Sequence, residues 1–342
     1  MTDHIRIALS GAPGSPYTRK MLGVLRYRRI PYRFLPSEGP ALADLPTPKV
    51  RLLPTFYLPG AAGELEAVVD STPIIRRLEA EHPGRAVVPA EAALAFLDAL
   101  IEDYADEWLT KAMFHYRWVY PPDIAKAATI LPLWRNLSIS EDALAKVSAF
   151  IGDRQIGRLP VVGSNDVTGP IIEASYHRFL EAFEAHLTSQ PFLLGARPGA
   201  SDFAVFGQLT QLAQFDPTPA AVTLAVAPRV YAWVDLMEDQ SGLEPGPADW
   251  NDATALPATL RPILTEIGRT YAPVMLANAE TLSSGAMEVN TTVDGQRWIQ
   301  PPFPYQAKCL QWLRTTRESL PAEARTTVDG ALAGTGCEAL FT

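Results

Sequence analysis

The segment IRIALSG, Ile5 to Gly11, alternates apolar and polar side chains and stops at a Gly/Pro break, the period of a β-strand. Ser15-Pro16 then predicts a helix start. A Ser oxygen can accept from an exposed backbone N–H, and Pro is tolerated at the first helical position. Tyr17, Met21, Val24 and Leu25 recur at helical spacing until Pro31, and Tyr32 to Leu35 returns to strand character. Residues 5–35 are therefore expected as strand, helix, strand, with a crossover suited to parallel pairing. LLPTFYL (Leu52 to Leu58), the turn PGAAG and ELEAVVD (Glu64 to Asp70) predict a hairpin. DSTPIIRRLEAEHP follows as a helix. Asp70 or Ser71 would cap it, Ile74, Ile75 and Leu78 form one face, and Pro83-Gly84 closes it.

From Pro89 the period becomes that of long helices. PAEAALAFLDALIEDYADEWLTKAMFHYRW is one, Ile171 to Leu187 another, and SDFAVFGQLTQLAQF and PRVYAWVDLMEDQ complete a helical block ending near Gln240. The remainder is mixed. ATLRPILTEIGRTYAPVMLANAETL is helical despite its prolines, and MEVNTTVDGQRWIQP alternates about Asp294-Gly295, a hairpin signal. YQAKCLQWLRTTRESL and AEARTTVDGALAG are two further amphipathic helices. The Trp and Phe content of this last stretch argues for packing rather than a disordered tail.

Composition narrows the classes. Of 342 residues, 47% are hydrophobic and 20% charged, which favours packed globular structure. The formal net charge of -9 opposes nucleic acid and anionic membranes as partners. The locally basic RKMLGVLRYRR has the spacing expected of the solvated face of an amphipathic helix. No apolar run approaches the roughly 18 residues of a membrane span, and MTDHIRIALSG lacks a signal pattern. Two cysteines, Cys309 and Cys337, argue against a disulfide framework and for a reducing cytoplasm. Five scattered histidines give no metal-ligand spacing, so no metal is expected.

Four motifs in order carry a resemblance: SPYTRK after the first strand, LLPTFYL opening the third, VVDSTPI joining the fourth strand to a helix, and LLGARPGASDFAVFGQL in the helical block. Over residues 4–240 the chain resembles the glutathione transferase superfamily. The resemblance implies an α/β plus all-α fold: a thioredoxin-like βαβ-ββα domain at 1–84 and an all-helical domain at 89–240. A mostly helical C-terminal extension at 241–342, with a possible β-hairpin, would pack on the helical domain.

It also implies chemistry. Ser15 stands where thioredoxin-like redox proteins carry a nucleophilic Cys. At a helix N-terminus its hydroxyl would hold the glutathione thiolate, with Tyr17 the rival hydroxyl and Thr18 a weaker one. As a residue alone, Ser15 is a plain helix cap. Pro54 matches the family's cis-proline, which would turn the Leu53 backbone toward the cysteinyl unit of glutathione. Asp70 and Ser71 match an acidic-Ser pair, Ser71 for the γ-glutamyl carboxylate and Asp70 for the ammonium. Lys49 is a candidate for the glycyl carboxylate, with a solvated lysine as the bland alternative. Tyr104, Trp108, Phe114, His115 and Trp118 are candidates for the electrophile pocket, or for domain core. Asp103, Asp106 and Glu107 are expected as interface or solvated groups.

Asp202 matches a buried capping-box Asp of the helical domain, although Gly199 stands where a Ser or Thr cap is usual. The implied function is conjugation of glutathione, as co-substrate, to a small hydrophobic electrophile by a cytoplasmic homodimer, a detoxification role. The alternatives are a glutathione-dependent reductase or lyase and a non-catalytic ligand- or partner-binding protein. The missing thiol at positions 15–18 counts against disulfide exchange.

Overall fold

The computed structural model describes residues 7–342; Ile5 and Arg6 of the expected first strand lie outside them. Strand β1 (Ile7–Gly11) is buried along its whole length, as the central position of a four-stranded sheet requires. Helix α1 (Pro16–Tyr27) leads to β2 (Tyr32–Pro36), which pairs parallel to β1 with Ile7 opposite Tyr32. Strands β3 (Thr55–Pro59) and β4 (Leu65–Val68) form the hairpin, and β3 lies antiparallel on β1, giving the order β2-β1-β3-β4. Strand β3 starts at Thr55 rather than Leu52: Pro54, which follows a cis Leu53–Pro54 bond, has no N–H for the ladder. Helix α2 (Ser71–Glu81) closes this unit.

The helical block contains α3 (Ala92–Tyr104), α4 (Thr110–Val119), α5 (Pro121–Leu133), α6 (Glu141–Ile156), α7 (Gly169–His186), α8 (Ala200–Leu209), α9 (Pro217–Val226) and α10 (Pro228–Met237). The long helix expected from Pro89 is α3 and α4 joined through a π-turn, Ala105–Leu109. A second π-turn, Thr210–Phe215, follows α8. Among the described residues no single helix is long and apolar enough to cross a membrane.

Helix α8 lies directly on α1. A Cβ added at Gly207 would sit 2.4 Å from the carbonyl oxygen of Pro16, so only Gly permits this approach. Asp202 accepts from the N–H groups of Gly199 and Leu193, each at 2.9 Å, so the expected box survives through its acidic half.

The last region folds as α11 (Arg261–Glu266), α12 (Ala272–Ser284), β5 (Val289–Val293), β6 (Gln296–Gln300), α13 (Pro304–Ser319) and α14 (Ala322–Leu332). Asp294 (φ 51°) and Gly295 (φ 74°) make the expected two-residue turn between paired Val293 and Gln296. Helices α13 and α14 lie on α3, and α11 lies on α7. One continuous apolar core includes Leu9 and Val24 of the first unit, Phe96 and Phe179 of the second, and Trp298 and Leu340 of the third.

Candidate functional site

Ser15 is the N-cap of α1, in extended conformation (φ −97°, ψ 117°), with Pro16 at the first helical position. Its Oγ accepts from the Thr18 N–H at 3.3 Å and donates to the Leu53 carbonyl at 3.4 Å. The structure thus brings Ser15 to the segment before Pro54. Tyr17 and Thr18 are spent differently. Tyr17 Oη donates to the Asp106 carbonyl at 2.8 Å, and burial, reinforced by Glu107 and Asp106, raises its pKa well above 10. Thr18 is buried and accepts from the Ala12 N–H at 3.4 Å, pinning the loop before Ser15.

That loop is also held from the helical block. Arg117 Nη1 donates to the Gly14 carbonyl at 3.0 Å and Gln211 Nε2 to the Pro13 carbonyl at 3.1 Å. The buried Arg117 is paired with buried Asp216 at 2.9 Å, which offsets the cost of its desolvation.

Asp70 and Ser71 lie at the start of α2, but neither side chain caps it. Asp70 occupies the cap position with φ 83° and makes no capping bond. Its Oδ2 instead accepts from Tyr305 Oη of α13 at 2.6 Å. Ser71 is buried, and its Oγ accepts from Lys20 Nζ at 3.1 Å. Lys49 is exposed on the loop before β3, with no ion pair among the described residues.

Lys20 is the main residue that sequence reasoning missed. The basic stretch expected on the solvated face sends Lys20 inward instead, 1% exposed, and Arg28 is buried too, beside Glu79 at 3.0 Å. Lys20 Nζ donates to Glu102 Oε1 at 2.8 Å and Asp106 Oδ2 at 2.6 Å, tying α1 to α2 and α3. Burial alone would lower its pKa; Asp106 and Glu102 outweigh burial, so the net shift is upward and Lys20 stays charged. The clue was available in spacing: Lys20 lies four residues from both Pro16 and Val24, on the buried stripe.

Asp106 and Glu107 are not solvated either. The π-turn carries both inward, and they are buried. Burial raises Asp106 to about 6, against the pull of Lys20, and one of its oxygens, Oδ1, has no partner among the described residues. Burial, with Asp103 and Asp106 repelling, raises Glu107 to about 8. Asp103 is raised to about 7, also chiefly by burial, although it accepts from Tyr271 Oη at 2.5 Å.

Of the aromatics offered for the electrophile pocket or for domain core, Tyr104 is fully buried against Phe179 and Tyr271. Trp108 packs on Trp298 at 5.2 Å and donates to Ser175 Oγ at 2.8 Å. His115 is buried between Ser164 Oγ at 2.8 Å and Glu173 at 3.0 Å, Trp118 is buried, and Phe114 is half-buried beside it. Trp298 of β6 and Ser175 of α7 cover Trp108, and Tyr104, His115 and Trp118 are interior as well, while Phe114 is only partly covered. An apolar cavity of about 480 Å³ lies elsewhere, lined by Leu187, Phe192, Trp233 and Met237 among others, and Ser15, Asp70 and Ser71 take no part in it. Among the described residues no group of three or more His, Cys, Asp or Glu is placed to hold a metal ion.

The family model described as glutathione S-transferase, N-terminal domain, matches residues 9–86, and that for the C-terminal domain matches residues 135–236. Together they cover more than half of the chain and leave residues 237–342 outside. No curated protein matches significantly. Similar solved structures include a glutathione S-transferase from Methylobacterium radiotolerans in complex with glutathione sulfonate, 20% identical over 68% of this chain and 90% of that one, TM-score 0.41. A tau class glutathione S-transferase from mango is 15% identical over 70% of this chain and 93% of its own, TM-score 0.41. One from Rhodospirillum rubrum is 16% identical over 89% and 99%, TM-score 0.41.

Proposed function

The chain belongs to the glutathione S-transferase superfamily, and from that membership we propose that it binds glutathione and conjugates it to a small hydrophobic electrophile. The observation that carries this reading is Ser15: a hydroxyl at the N-terminus of a twelve-residue helix, within 3.4 Å of the Leu53 carbonyl. The partial positive charge of that helix end favours a thiolate over a thiol, and the Ser15 proton adds a hydrogen bond to it. More of the sulfur is then nucleophilic at neutral pH. The thiolate attacks the electrophile, a carbon–sulfur bond forms, and the leaving group departs with its electron pair. Ser15 takes no covalent part.

In this reading the extended backbone of glutathione pairs with Leu53, and its γ-glutamyl end meets the start of α2. Ser71 and the local N–H groups face the carboxylate, and Asp70 faces the ammonium. Lys49 remains the cation for the glycyl carboxylate. Tyr17 is the weaker of the two hydroxyls, because its proton is already committed to the Asp106 carbonyl. A cytoplasmic homodimer acting in detoxification completes the proposal.

The interior positions of Tyr104, Trp108, His115 and Trp118 favour a second reading, a non-catalytic glutathione-binding protein. Calorimetric titration with glutathione, together with a conjugation assay on a chlorinated arene, separates the two. Asp70→Asn should raise the glutathione dissociation constant about tenfold, the worth of one charge-assisted hydrogen bond. Binding without conjugation selects the second reading, and no binding to glutathione removes both.

A further inference from the structure

Tyr305 lies in the region beyond both family domains, yet it touches the residue assigned above to the ammonium of the ligand. Its hydroxyl donates to Asp70 Oδ2 at 2.6 Å across 235 positions of sequence. The contact is built rather than incidental. The segment entering α13 is clamped by Asn278, fully buried, which accepts from the Phe303 N–H at 2.7 Å and donates to the Phe303 carbonyl at 2.9 Å. Two residues on, the Tyr305 ring stands edge-on to Trp312 at 6.1 Å. Gln306 reaches the other way, donating to the Glu107 carbonyl at 3.3 Å. The first turn of α13 therefore spans from the π-turn of the helical block to the N-terminus of α2.

An Asp at a helix cap position ordinarily turns its carboxylate onto the helix's own free N–H groups. Asp70 does not: its φ of 83° lies outside the extended range of a capping residue, and the phenol holds one carboxylate oxygen. The other Asp70 oxygen has no hydrogen-bond partner among the described residues and can serve a ligand. Burial and the bond to Asp70 both keep the phenol protonated, so it stays a donor.

We propose that Tyr305 is a positioning residue of the glutathione site, aiming the Asp70 carboxylate at the α-amino group of the γ-glutamyl unit. The C-terminal region is then part of the binding site rather than an appendage to the fold. This rests on the reading under Proposed function.

The test is a double-mutant cycle on the full chain, with glutathione as the titrant in calorimetry. Tyr305→Phe keeps the ring and removes the donor. It should raise the dissociation constant about tenfold, with the melting temperature little changed, since a hydrogen bond to a charged group is lost. In the Asp70→Asn background the same substitution should have no further effect, because it acts through Asp70 alone. Additive losses would overturn the proposal by making Tyr305 a general structural residue. Unchanged binding in Tyr305→Phe would overturn it outright, and tighter binding would replace it with a phenol that blocks the site. A parent chain that does not bind glutathione removes the functional reading and this inference together. Where the parent binds, the Tyr305→Phe titrations alone decide whether the phenol positions Asp70.

Discussion

Ser15 has two partners before any ligand arrives: it caps α1 through the Thr18 N–H and donates to Leu53 just ahead of β3. The bond that uses the Ser15 proton, to the Leu53 carbonyl, is long at 3.4 Å, so the hydroxyl can turn that hydrogen bond to a thiolate at small cost to the fold. Ser15→Ala should therefore separate binding from chemistry. Glutathione is held by its backbone and its γ-glutamyl end, so the dissociation constant should change little. Turnover should fall roughly ten- to a hundredfold, the worth of one hydrogen bond to a charged group. Steady-state kinetics on the variant checks this. Unchanged turnover would transfer the role to Tyr17, whose hydroxyl would first have to leave the Asp106 carbonyl.

At the scale of elements, the π-turn between α3 and α4 carries two carboxylates, Asp106 and Glu107, into the interior. Glu107 titrates near 8, raised by burial and by Asp103 and Asp106. Folded Glu107 holds its proton more tightly than unfolded Glu107, whose ordinary value is 4.5. Folding therefore takes up a proton between these values, and stability falls as pH rises from about 4 through about 8. The cost is complete above the folded pKa and absent below the unfolded one. Glu107→Gln removes it. The variant should match the parent near pH 4 and exceed it at about pH 9 by on the order of 1–3 kcal/mol, read from urea unfolding at both pH values. Equal stability differences at the two pH values would mean that folding leaves the Glu107 pKa unshifted.

The same scale decides what the sequence could reveal. The βαβ–ββα order, the helical block and the Asp294-Gly295 hairpin are legible because each element carries its own period and its own punctuation. The placement of Ser15, Pro54, Asp70 and Ser71 at junctions between elements is legible as well. Lys20 and Tyr305 are not, for a physical reason. A buried charge is recognisable only from its partners, and those of Lys20 lie 51 to 86 residues away, at Ser71, Glu102 and Asp106. Tyr305 finds Asp70 only after three regions have docked. The choice between pocket and core for Trp108 is not legible for the mirror reason: nothing local says that Trp298 will cover it.

Over the whole molecule, the extension belongs to the core rather than decorating it. Trp298 is fully buried against Trp108, and Phe341 packs edge-on to Phe96 at 5.5 Å. Tyr271 bonds to Asp103, and Cys337, also fully buried, donates to the Leu264 carbonyl. A core continuous from Leu9 to Leu340 predicts one cooperative unfolding transition rather than separate melting of a terminal region. Trp298→Ala tests this, because the cavity lies between the extension and the helical block. It should cost about 3–5 kcal/mol, the usual range for truncating a buried large aromatic. If the core is one unit, that loss lowers the midpoint of the whole protein, and far-UV circular dichroism and tryptophan fluorescence shift together. If the extension is an independent layer, Trp298→Ala splits the curve, with an early transition for residues beyond 237 and an unchanged later one for the rest. A split would also weaken the case for Tyr305, since a region that melts alone cannot hold Asp70 in place while the remainder of the site stays folded.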